Sequence, residues 1–390
     1  MKKTIVILSH VTFDNSPYCS YVHSHAIALQ KKGYNVIVFA ILNWFPFISF
    51  FRKKRAPYYK KYCGVKIIDD ITIIYKKRLS LSNFFYRSKL NINGILYYLS
   101  IKKTFKKVLK YNDVALIDAH TFKVEGYVAH IICKKYKIKT FLTCHGTSFD
   151  SNRYFSNGIY QIKKYCKAID KIICVSNKIE NQLNELDITN TEVIHNGINF
   201  YNKSIEKNNK NFNIVTVASL TSNKNVDKIL DAFSIVFKKY RDAFFTIIGD
   251  GPLKDDLMKR VLSDEIFPNV KFEGQISNEK AHKLLSNSNI FILPSSPEGF
   301  GIVYVEAMYN GCITIGTKNE GIDGFIKNGE NGFLVNIDSI EIANVILEIF
   351  SNIEKYDKLR YNGYMSARKM SWDNNASLYI SLLNGEQYDR

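Results

Sequence analysis

Short apolar segments rich in valine and isoleucine alternate along this chain with longer segments that carry apolar residues on one helical face. Residues 3–9 form the first apolar run, and residues 35–40 form the second. Between them, Ser16-Pro17 is a typical helix start and Gly33 a typical helix end. A strand, a helix and a strand in this order predict the repeating unit of a parallel sheet.

The same alternation continues to residue 195 and restarts at residue 213, and it assigns no element to 41–112. The remaining predicted strands are 113–119, 139–144, 171–175, 191–195, 213–219, 243–249, 270–273, 290–294 and 313–316. The remaining predicted helices are 123–135, 159–169, 177–186, 226–240, 253–263, 278–287, 299–310 and 339–351.

This order of elements predicts an α/β protein with two Rossmann-like, doubly wound domains that face each other across a cleft. The first domain spans 1–200 and the second 213–370, and the polar segment 201–212 is the linker between them. Residues 371–390 are expected to pack back toward the first domain.

Charge separates the two halves of the chain. The net charge is +18, but residues 1–200 carry 32 lysines and arginines against 12 acids, whereas 201–390 carry 22 against 24. An anionic partner is therefore expected for the first half only.

The seven cysteines are dispersed and form no Cys-x-x-Cys pair, which argues against a disulfide framework and structural zinc. The apolar run at the N-terminus is too short for a signal peptide, so we expect a cytoplasmic protein.

The clearest candidate site starts directly after the predicted strand 290–294, where a parallel sheet binds its ligands. Glu298 opens a predicted helix and Glu306 lies eight residues later, about 12 Å along the axis. Between them, main-chain N–H groups at the helix start form an anion site, contributed by Gly299, Phe300, Gly301, Ile302 and Val303. A carboxylate, an anion site and a second carboxylate match the sugar, diphosphate and ribose of a nucleotide-sugar. The alternative is that Glu298 is an ordinary acid in the first turn of the helix and that Glu306 is a surface residue.

This segment resembles the Glu-x7-Glu motif of retaining GT-B glycosyltransferases of the family 4 type, which include bacterial capsule and teichuronic-acid transferases. Other segments resemble the same family in the same order along the chain. They are Asp118-Ala-His120-Thr, Thr143-Cys-His145-Gly146-Thr, Cys174-Val-Ser176-Asn, Val193-Ile-His-Asn196-Gly197, Gly249-Asp-Gly-Pro252 and Trp372-Asp373.

The resemblance implies a role for each matching residue. Glu298 would bind hydroxyls of the donor sugar, Lys224 its diphosphate, and His145 the sugar near the reacting carbon. Further donor-binding residues would be Glu306 at the ribose, Gln275 and Ile276 at the base, and Ser219 and Gly249 with the segment 299–303. Ser16 and His120 would lie on the acceptor side. No metal or other cofactor is expected, since lysine and the helix start neutralise the diphosphate. Ser219 stands where the family usually has arginine, which leaves Lys224 as the cation that the motif identifies.

The sequence thus predicts a retaining hexosyltransferase that moves a sugar from a UDP- or GDP-sugar to a glycan or lipid-linked glycan in bacterial surface polysaccharide or glycoconjugate biosynthesis. One alternative is a nucleotide-sugar epimerase of the same fold. The other is a basic binding module without catalysis, although no nucleic-acid motif accompanies the basic residues. A nicotinamide dehydrogenase is disfavoured, because both Gly-x-Gly segments lack the third glycine of the dinucleotide fingerprint.

A mainly apolar and aromatic stretch, 36–51, precedes four cations at 52–55. It is too short and too interrupted to span a membrane. With the nearby Lys60, Lys61, Lys76, Lys77 and Arg78, it predicts peripheral attachment to an anionic membrane surface on the cytoplasmic side. The alternative is that the aromatic side chains pack into the first domain.

Overall fold

The computed structural model of the chain describes residues 2–10, 20–44, 62–79, 91–122, 124–146, 156–201 and 212–386. Its strands are β1 Thr4–Ser9, β2 Asn35–Trp44, β3 Gly64–Ile68, β4 Ile71–Leu79, β5 Val114–His120, β6 Thr140–Cys144, β7 Lys171–Cys174, β8 Thr191–Val193, β9 Asn213–Val217, β10 Phe244–Ile248, β11 Val270–Gly274, β12 Ile290–Ile292, β13 Ile313–Thr317 and β14 Phe333–Val335. Its helices are α1 Ser20–Lys31, α2 Ile92–Tyr111, α3 Glu125–Tyr136, α4 Ser156–Cys166, α5 Asn177–Asn184, α6 Val226–Lys239, α7 Lys254–Leu262, α8 Asn278–Ser286, α9 Ile302–Tyr309, α10 Ser339–Ser351, α11 Asp357–Arg368 and α12 Trp372–Asn384.

The chain forms two compact units, Met1–Gly197 with Trp372–Arg390, and Ile198–Ser371. The first unit contains an eight-stranded sheet in the order β3-β4-β2-β1-β5-β6-β7-β8, and the second a six-stranded sheet in the order β11-β10-β9-β12-β13-β14. All neighbouring strands are parallel except β3 and β4. Each sheet winds outward in both directions from its first strand, β1 or β9, which confirms the prediction of two doubly wound α/β domains.

Burial explains why these segments form strands and helices. Every residue of β1, β6 and β13 is buried, as expected for parallel strands covered by helices on both faces. Helix α6 buries one apolar stripe, including Ile229, Phe233 and Val236, against the second sheet. Helix α12 places Ala376 and Tyr379 in the core of the first unit.

Three elements, β3, β4 and α2, lie in the region to which the sequence pattern assigned no structure. Strand β4 carries Lys76, Lys77 and Arg78 just before its last residue, and these charges conceal its apolar pattern. Arg78 is nevertheless buried, because its guanidinium donates to the Asn43 side chain at 2.7 Å and to the Asn93 carbonyl at 3.1 Å. Strand β14 was likewise not predicted.

The second unit begins at Ile198. This residue pairs with Ser371, and the rings of Phe200 and Tyr309 stack with centres 4.6 Å apart. The remainder of the predicted linker, 202–211, lies outside the described residues, as do Ser16, the stretch 45–61 and Thr147. Among the described residues, no helix is long and apolar enough to cross a membrane.

The predicted helix 299–310 is wrong at its N-terminal end. Helix α9 begins at Ile302, and residues 298–301 form a loop before it. Gly301 has a φ of +81°, and a Cβ there would lie 2.4 Å from the Tyr304 ring. A Cβ at Gly321 would lie 2.0 Å from the Gly299 carbonyl oxygen. The loop is therefore held against the segment that follows β13.

Candidate active site

Lys224 and Glu298, two of the predicted catalytic residues, are in direct contact. Lys224 follows β9 in a short 3₁₀ turn, and Glu298 follows β12. The Lys224 Nζ donates to Glu298 Oε2 at 2.6 Å and to Ser295 Oγ at 3.1 Å. Ser295 in turn donates to the same carboxylate oxygen at 2.9 Å. Both charged side chains are less than a fifth exposed, so the pair is only weakly screened by solvent.

Glu320, which the sequence did not point to, holds the loop of Glu298 in place. Its Oε2 accepts from the main-chain N–H of Glu298 at 2.7 Å, and its Oε1 accepts from the Ser296 hydroxyl at 2.7 Å. Glu320 follows β13, so its position after a strand was the available signal.

One main-chain N–H of the predicted anion site at the start of α9 already has a partner. The Gly299 N–H donates to the carboxylate of Glu298 itself at 3.1 Å. The Phe300 side chain is buried and packs edge-on against Phe325, so it contributes to the core. Ile302 and Val303 are half-buried in the first turn of the helix, where main-chain N–H groups have no partner within the helix.

Glu306 lies on α9 with its side chain 28% exposed. Burial raises the pKa of its carboxyl group to about 7. The nearest histidine, His282, has its Nε2 3.9 Å from Glu306 Oε1 and accepts from the Asn310 amide at Nδ1, at 2.8 Å. Burial lowers the pKa of His282 to about 4, so this ring is neutral at pH 7.

Four predicted donor-binding residues follow the strands β9, β10 and β11 at one edge of the second sheet, namely Ser219, Gly249, Gln275 and Ile276. Gly249 donates its N–H to the Gly274 carbonyl at 2.9 Å, and a Cβ at Gly249 would lie 1.8 Å from the Ala218 carbonyl oxygen. Gln275 is exposed, whereas Ser219 and Ile276 are half-buried.

A second cation, Lys254, lies at the same edge. It pairs with Asp250 at 3.2 Å, and its Nζ lies 3.8 Å from where a Cβ of Gly274 would be. The sequence did not single out Lys254.

In the first unit, Asp118, His120 and His145 form a continuous hydrogen-bonded series. Asp118 and His120 lie at the end of β5, and His145 follows β6. The Nε2 of His120 lies 3.1 Å from Asp118 Oδ2, and its Nδ1 lies 2.7 Å from His145 Nε2. The two rings are nearly parallel, with centres 4.9 Å apart. The structure thus brings together the predicted His120 and His145, one buried and one half-buried.

Four residues that were not predicted as site residues complete this network, namely His25, Thr143, Asn375 and Tyr379. The Nε2 of His25 lies 3.2 Å from Asp118 Oδ2, and its Nδ1 lies 2.7 Å from Asn375 Oδ1. Thr143 donates to Asp118 Oδ1 at 3.0 Å and contacts the Tyr379 hydroxyl at 2.6 Å. Asn375 and Tyr379 belong to α12, so the C-terminal helix contributes to the network.

The charges of this network follow from its surroundings. Burial opposes ionisation of Asp118, but the hydrogen bonds from the two adjacent histidines, His120 and His25, hold its pKa well below the usual range. Burial lowers the pKa of His145 well below its usual value. His145 is therefore neutral at pH 7.

A separate buried acid, Glu125, lies at the start of α3. It is 3.3 Å from His10, which follows β1, and accepts from the Thr121 hydroxyl at 2.6 Å. The hydrogen bond with Glu125 and its charge raise the pKa of His10. The sequence did not single out Glu125.

Within the described ranges, one group has the spacing of metal ligands. One ligand atom each of His25, Asp118 and His120 lies within 4.8 Å of the others, and all three residues are buried. Hydrogen bonds account for the short distances from Asp118 to both rings, and the expectation that no metal is used stays a prediction.

Comparison with known proteins identifies the family. The model of "Glycosyltransferase Family 4" matches residues 20–200, and that of "Glycosyl transferases group 1" matches 198–366. An uncharacterized glycosyltransferase of Methanocaldococcus jannaschii is 30% identical over 282 residues, which are 72% of this chain and 78% of the relative. The chain belongs to the glycosyltransferases of the group 1 and family 4 type.

Other relatives and solved structures agree with this placement. An alpha-monoglucosyldiacylglycerol synthase of Acholeplasma laidlawii is 24% identical over 75% of this glycosyltransferase and 82% of the relative. The crystal structure of Anabaena Alr3699/HepE in complex with UDP matches with a TM-score of 0.74 at 17% identity. The match covers 99% of this chain and 100% of that chain. Sucrose-phosphate synthase from Thermosynechococcus elongatus has a TM-score of 0.75 at 17% identity with the same coverage. The structural likeness establishes the GT-B fold.

Proposed function

We propose that this glycosyltransferase is a retaining hexosyltransferase that uses a UDP- or GDP-sugar as donor and a glycan or lipid-linked glycan as acceptor. The observation that carries the proposal is the contact of Lys224 with Glu298 and Ser295 just before α9, with Glu306 further along the helix. A cation that follows β9, together with the two carboxylates and the helix start that follow β12, suits a sugar diphosphate.

In this proposal, Lys224 binds the diphosphate and stabilises the charge that develops on the leaving group. Without ligand, Glu298 balances the lysine charge at 2.6 Å. A bound diphosphate takes over that role, and the carboxylate becomes free to accept from sugar hydroxyls. No metal is needed, because Lys224 and the first turn of α9 supply the positive field.

The other roles concern the remaining parts of the donor. Glu306 accepts from the ribose hydroxyls, and the main chain of Gln275 and Ile276 receives the base. Lys254 adds a second positive charge at this edge, where Ser219 replaces the usual arginine of the family. In the first unit, His145 contacts the donor sugar and His120 lies on the acceptor side.

The choice of substrates is supported by what similar proteins are described to bind. Anabaena Alr3699/HepE was solved with UDP-glucose and with UDP and glucose. The Acholeplasma laidlawii relative is named for a glucosylated diacylglycerol, which favours a lipid acceptor. A Bacillus anthracis relative, 24% identical, is named N-acetyl-alpha-D-glucosaminyl L-malate synthase. We propose that the pathway is surface polysaccharide or glycoconjugate biosynthesis.

The test is a panel of UDP- and GDP-sugars in thermal-shift and product assays. A ligand at 100 times its dissociation constant should stabilise the protein by about 2.7 kcal/mol. Acceptor-dependent release of nucleoside diphosphate, with the anomeric configuration of the donor kept in the product, is expected. Conversion of the nucleotide-sugar into an isomer would favour the epimerase, and no binding of any nucleotide-sugar would favour the basic binding module.

We also propose that the protein attaches peripherally to the cytoplasmic face of the membrane. Among the described residues, support comes from α2, which carries five lysines and no acid over Ile92–Tyr111. Leu99 is 56% exposed on this helix and Tyr111 is 67% exposed. Each lysine near an anionic surface contributes about 1 kcal/mol to binding.

Vesicle co-sedimentation tests this attachment with a matched pair of variants. Binding should require anionic lipid, fall with added salt, and weaken when four exposed lysines of α2 become glutamine, namely Lys103, Lys106, Lys107 and Lys110. The control changes four exposed lysines of the second unit, namely Lys238, Lys239, Lys259 and Lys283. Equal binding to neutral vesicles, or an equal loss in both variants, would contradict the proposal.

A further inference from the structure

The side chains around Asp118 fix where the protons of the His145 network lie, starting from Asn375. The Asn375 amide nitrogen donates to the His195 carbonyl at 2.8 Å, so its oxygen faces His25 and accepts from Nδ1 at 2.7 Å. His25 Nδ1 therefore carries a proton. A bare Nε2 would be repelled by the carboxylate oxygen 3.2 Å away, so this nitrogen carries a proton too. His25 is the cation that pairs with Asp118.

The same reasoning assigns the protons of the other two rings. Asp118 Oδ2 can only accept, so the His120 nitrogen 3.1 Å away is protonated. His25 already balances the single charge of Asp118, which leaves His120 neutral and its Nδ1 bare. The 2.7 Å contact then requires the Nε2–H of His145 to donate to His120. A neutral His145 is left with a bare Nδ1, which has no hydrogen-bond partner among the described residues.

We propose that Asp118 is a positioning residue that acts through His120 to hold His145 in its Nε2-protonated form. The part that His145 plays in catalysis rests on the proposed function, whereas the tautomer does not. Asp118 is fully buried and its second oxygen is held by Thr143, so the carboxylate cannot turn away from the rings. Fixing the tautomer in advance removes the cost of reorganising the ring when the donor binds.

Nitrogen-15 NMR of the histidine side chains tests the tautomer directly in the full chain. In the wild type, His145 should show one neutral form protonated at Nε2, and His25 should show both nitrogens protonated. Comparison with His145→Gln and His25→Gln assigns the signals. A His145 ring protonated at Nδ1, or a His25 ring with one proton, would overturn the proposal whether or not any variant folds.

Two variants separate positioning from stability. Asp118→Ala removes the anchor, and we expect His145 to lose its single tautomer and kcat to fall by about 100-fold, with the KM for the donor changed less than threefold. Thr191→Val removes a hydrogen bond from another buried threonine of the same unit, which donates to Glu180 at 3.2 Å outside the network, so the tautomer should persist and kcat should stay within about threefold. An unchanged tautomer in Asp118→Ala, or its loss in Thr191→Val, would contradict the mechanism.

Two further results have distinct meanings. A divalent metal retained in stoichiometric amount by the purified enzyme, and lost in Asp118→Ala, would overturn the hydrogen-bonded assignment, because a metal requires bare nitrogens on His25 and His120. If the wild-type spectrum is as expected but no sugar is transferred, the proposed function fails and the positioning of His145 stands.

Discussion

Glu306→Gln is expected to abolish a pH dependence of nucleotide-sugar binding. Glu306 is largely buried on α9, and burial raises the pKa of its carboxyl group to about 7. An ionised carboxylate accepts both hydrogen bonds of a ribose diol, whereas the protonated acid must donate one itself. Donor binding therefore favours the ionised form and displaces a proton from the protonated molecules.

The magnitude follows from that pKa. About one molecule in eleven is ionised at pH 6 and about ten in eleven at pH 8. The affinity should therefore rise about tenfold from pH 6 to pH 8, with about half a proton released per ligand at pH 7. His282, the histidine 3.9 Å from Glu306, stays neutral in this range because its pKa is lowered to about 4.

Titration calorimetry at pH 6, 7 and 8, in two buffers of different ionisation enthalpy, measures both quantities. The ligand is the best-binding nucleotide-sugar, whose diphosphate, unlike that of free UDP, does not titrate near neutral pH. Glu306→Gln should bind equally at all three values, and Glu354→Gln, which changes an exposed acid of the same unit, should behave like the wild type. A wild-type affinity that does not change with pH, or a tenfold rise retained in Glu306→Gln, would refute the reasoning.

Three further predictions follow from the second unit. Lys224→Ala and Glu298→Ala should each lower turnover by about 100-fold in initial-rate assays. Circular dichroism should show that both variants still fold. Near wild-type turnover in either variant would contradict the role assigned to that residue. Gly321→Ala should lower turnover and the melting temperature together, because its Cβ would lie 2.0 Å from the Gly299 carbonyl oxygen, and normal values of both would show that the loop can adjust. Because the pKa of Glu306 is raised, the native state keeps a proton that the unfolded chain loses near pH 4.5, so the free energy of unfolding of the wild type should fall as the pH rises from about 4.5 to 7. In urea unfolding this fall should be about 1–3 kcal/mol and should be missing in Glu306→Gln. Parallel pH profiles of the two proteins would contradict the burial of the carboxyl group.

The sequence was sufficient for the two doubly wound domains, because buried parallel strands and one-sided helices leave strong periodic patterns. The sequence did not predict elements whose apolar pattern is concealed by charge. An example is β4, in which the buried Arg78 is stabilised by hydrogen bonds to Asn43 and Asn93. The sequence pattern also extended α9 back to Gly299, because apolar periodicity does not reveal the positive φ of Gly301.

The candidate site was predictable only where each residue carries its own local signal. Lys224 and Glu298 follow strands and were identified, but their mutual contact spans 74 positions and has no trace in sequence spacing. Glu320 and Asn375 act on the site through partners 22 and 350 positions away. Such contacts follow from strand order and from the return of α12 to the first unit, and one sequence alone does not specify them.

Binding of UDP and GDP to the wild type and to Lys224→Ala, measured by calorimetry at one salt concentration, tests the central claim most directly. The wild type should bind at least one of the two diphosphates with one site per chain. Lys224→Ala should weaken that binding at least tenfold, in line with the loss of one charge-assisted contact, whereas Lys238→Ala on an exposed face should leave it unchanged. No binding to the wild type, or equal affinities of the wild type and Lys224→Ala, would contradict the assignment of Lys224 and its neighbours Glu298 and Ser295 to the donor site.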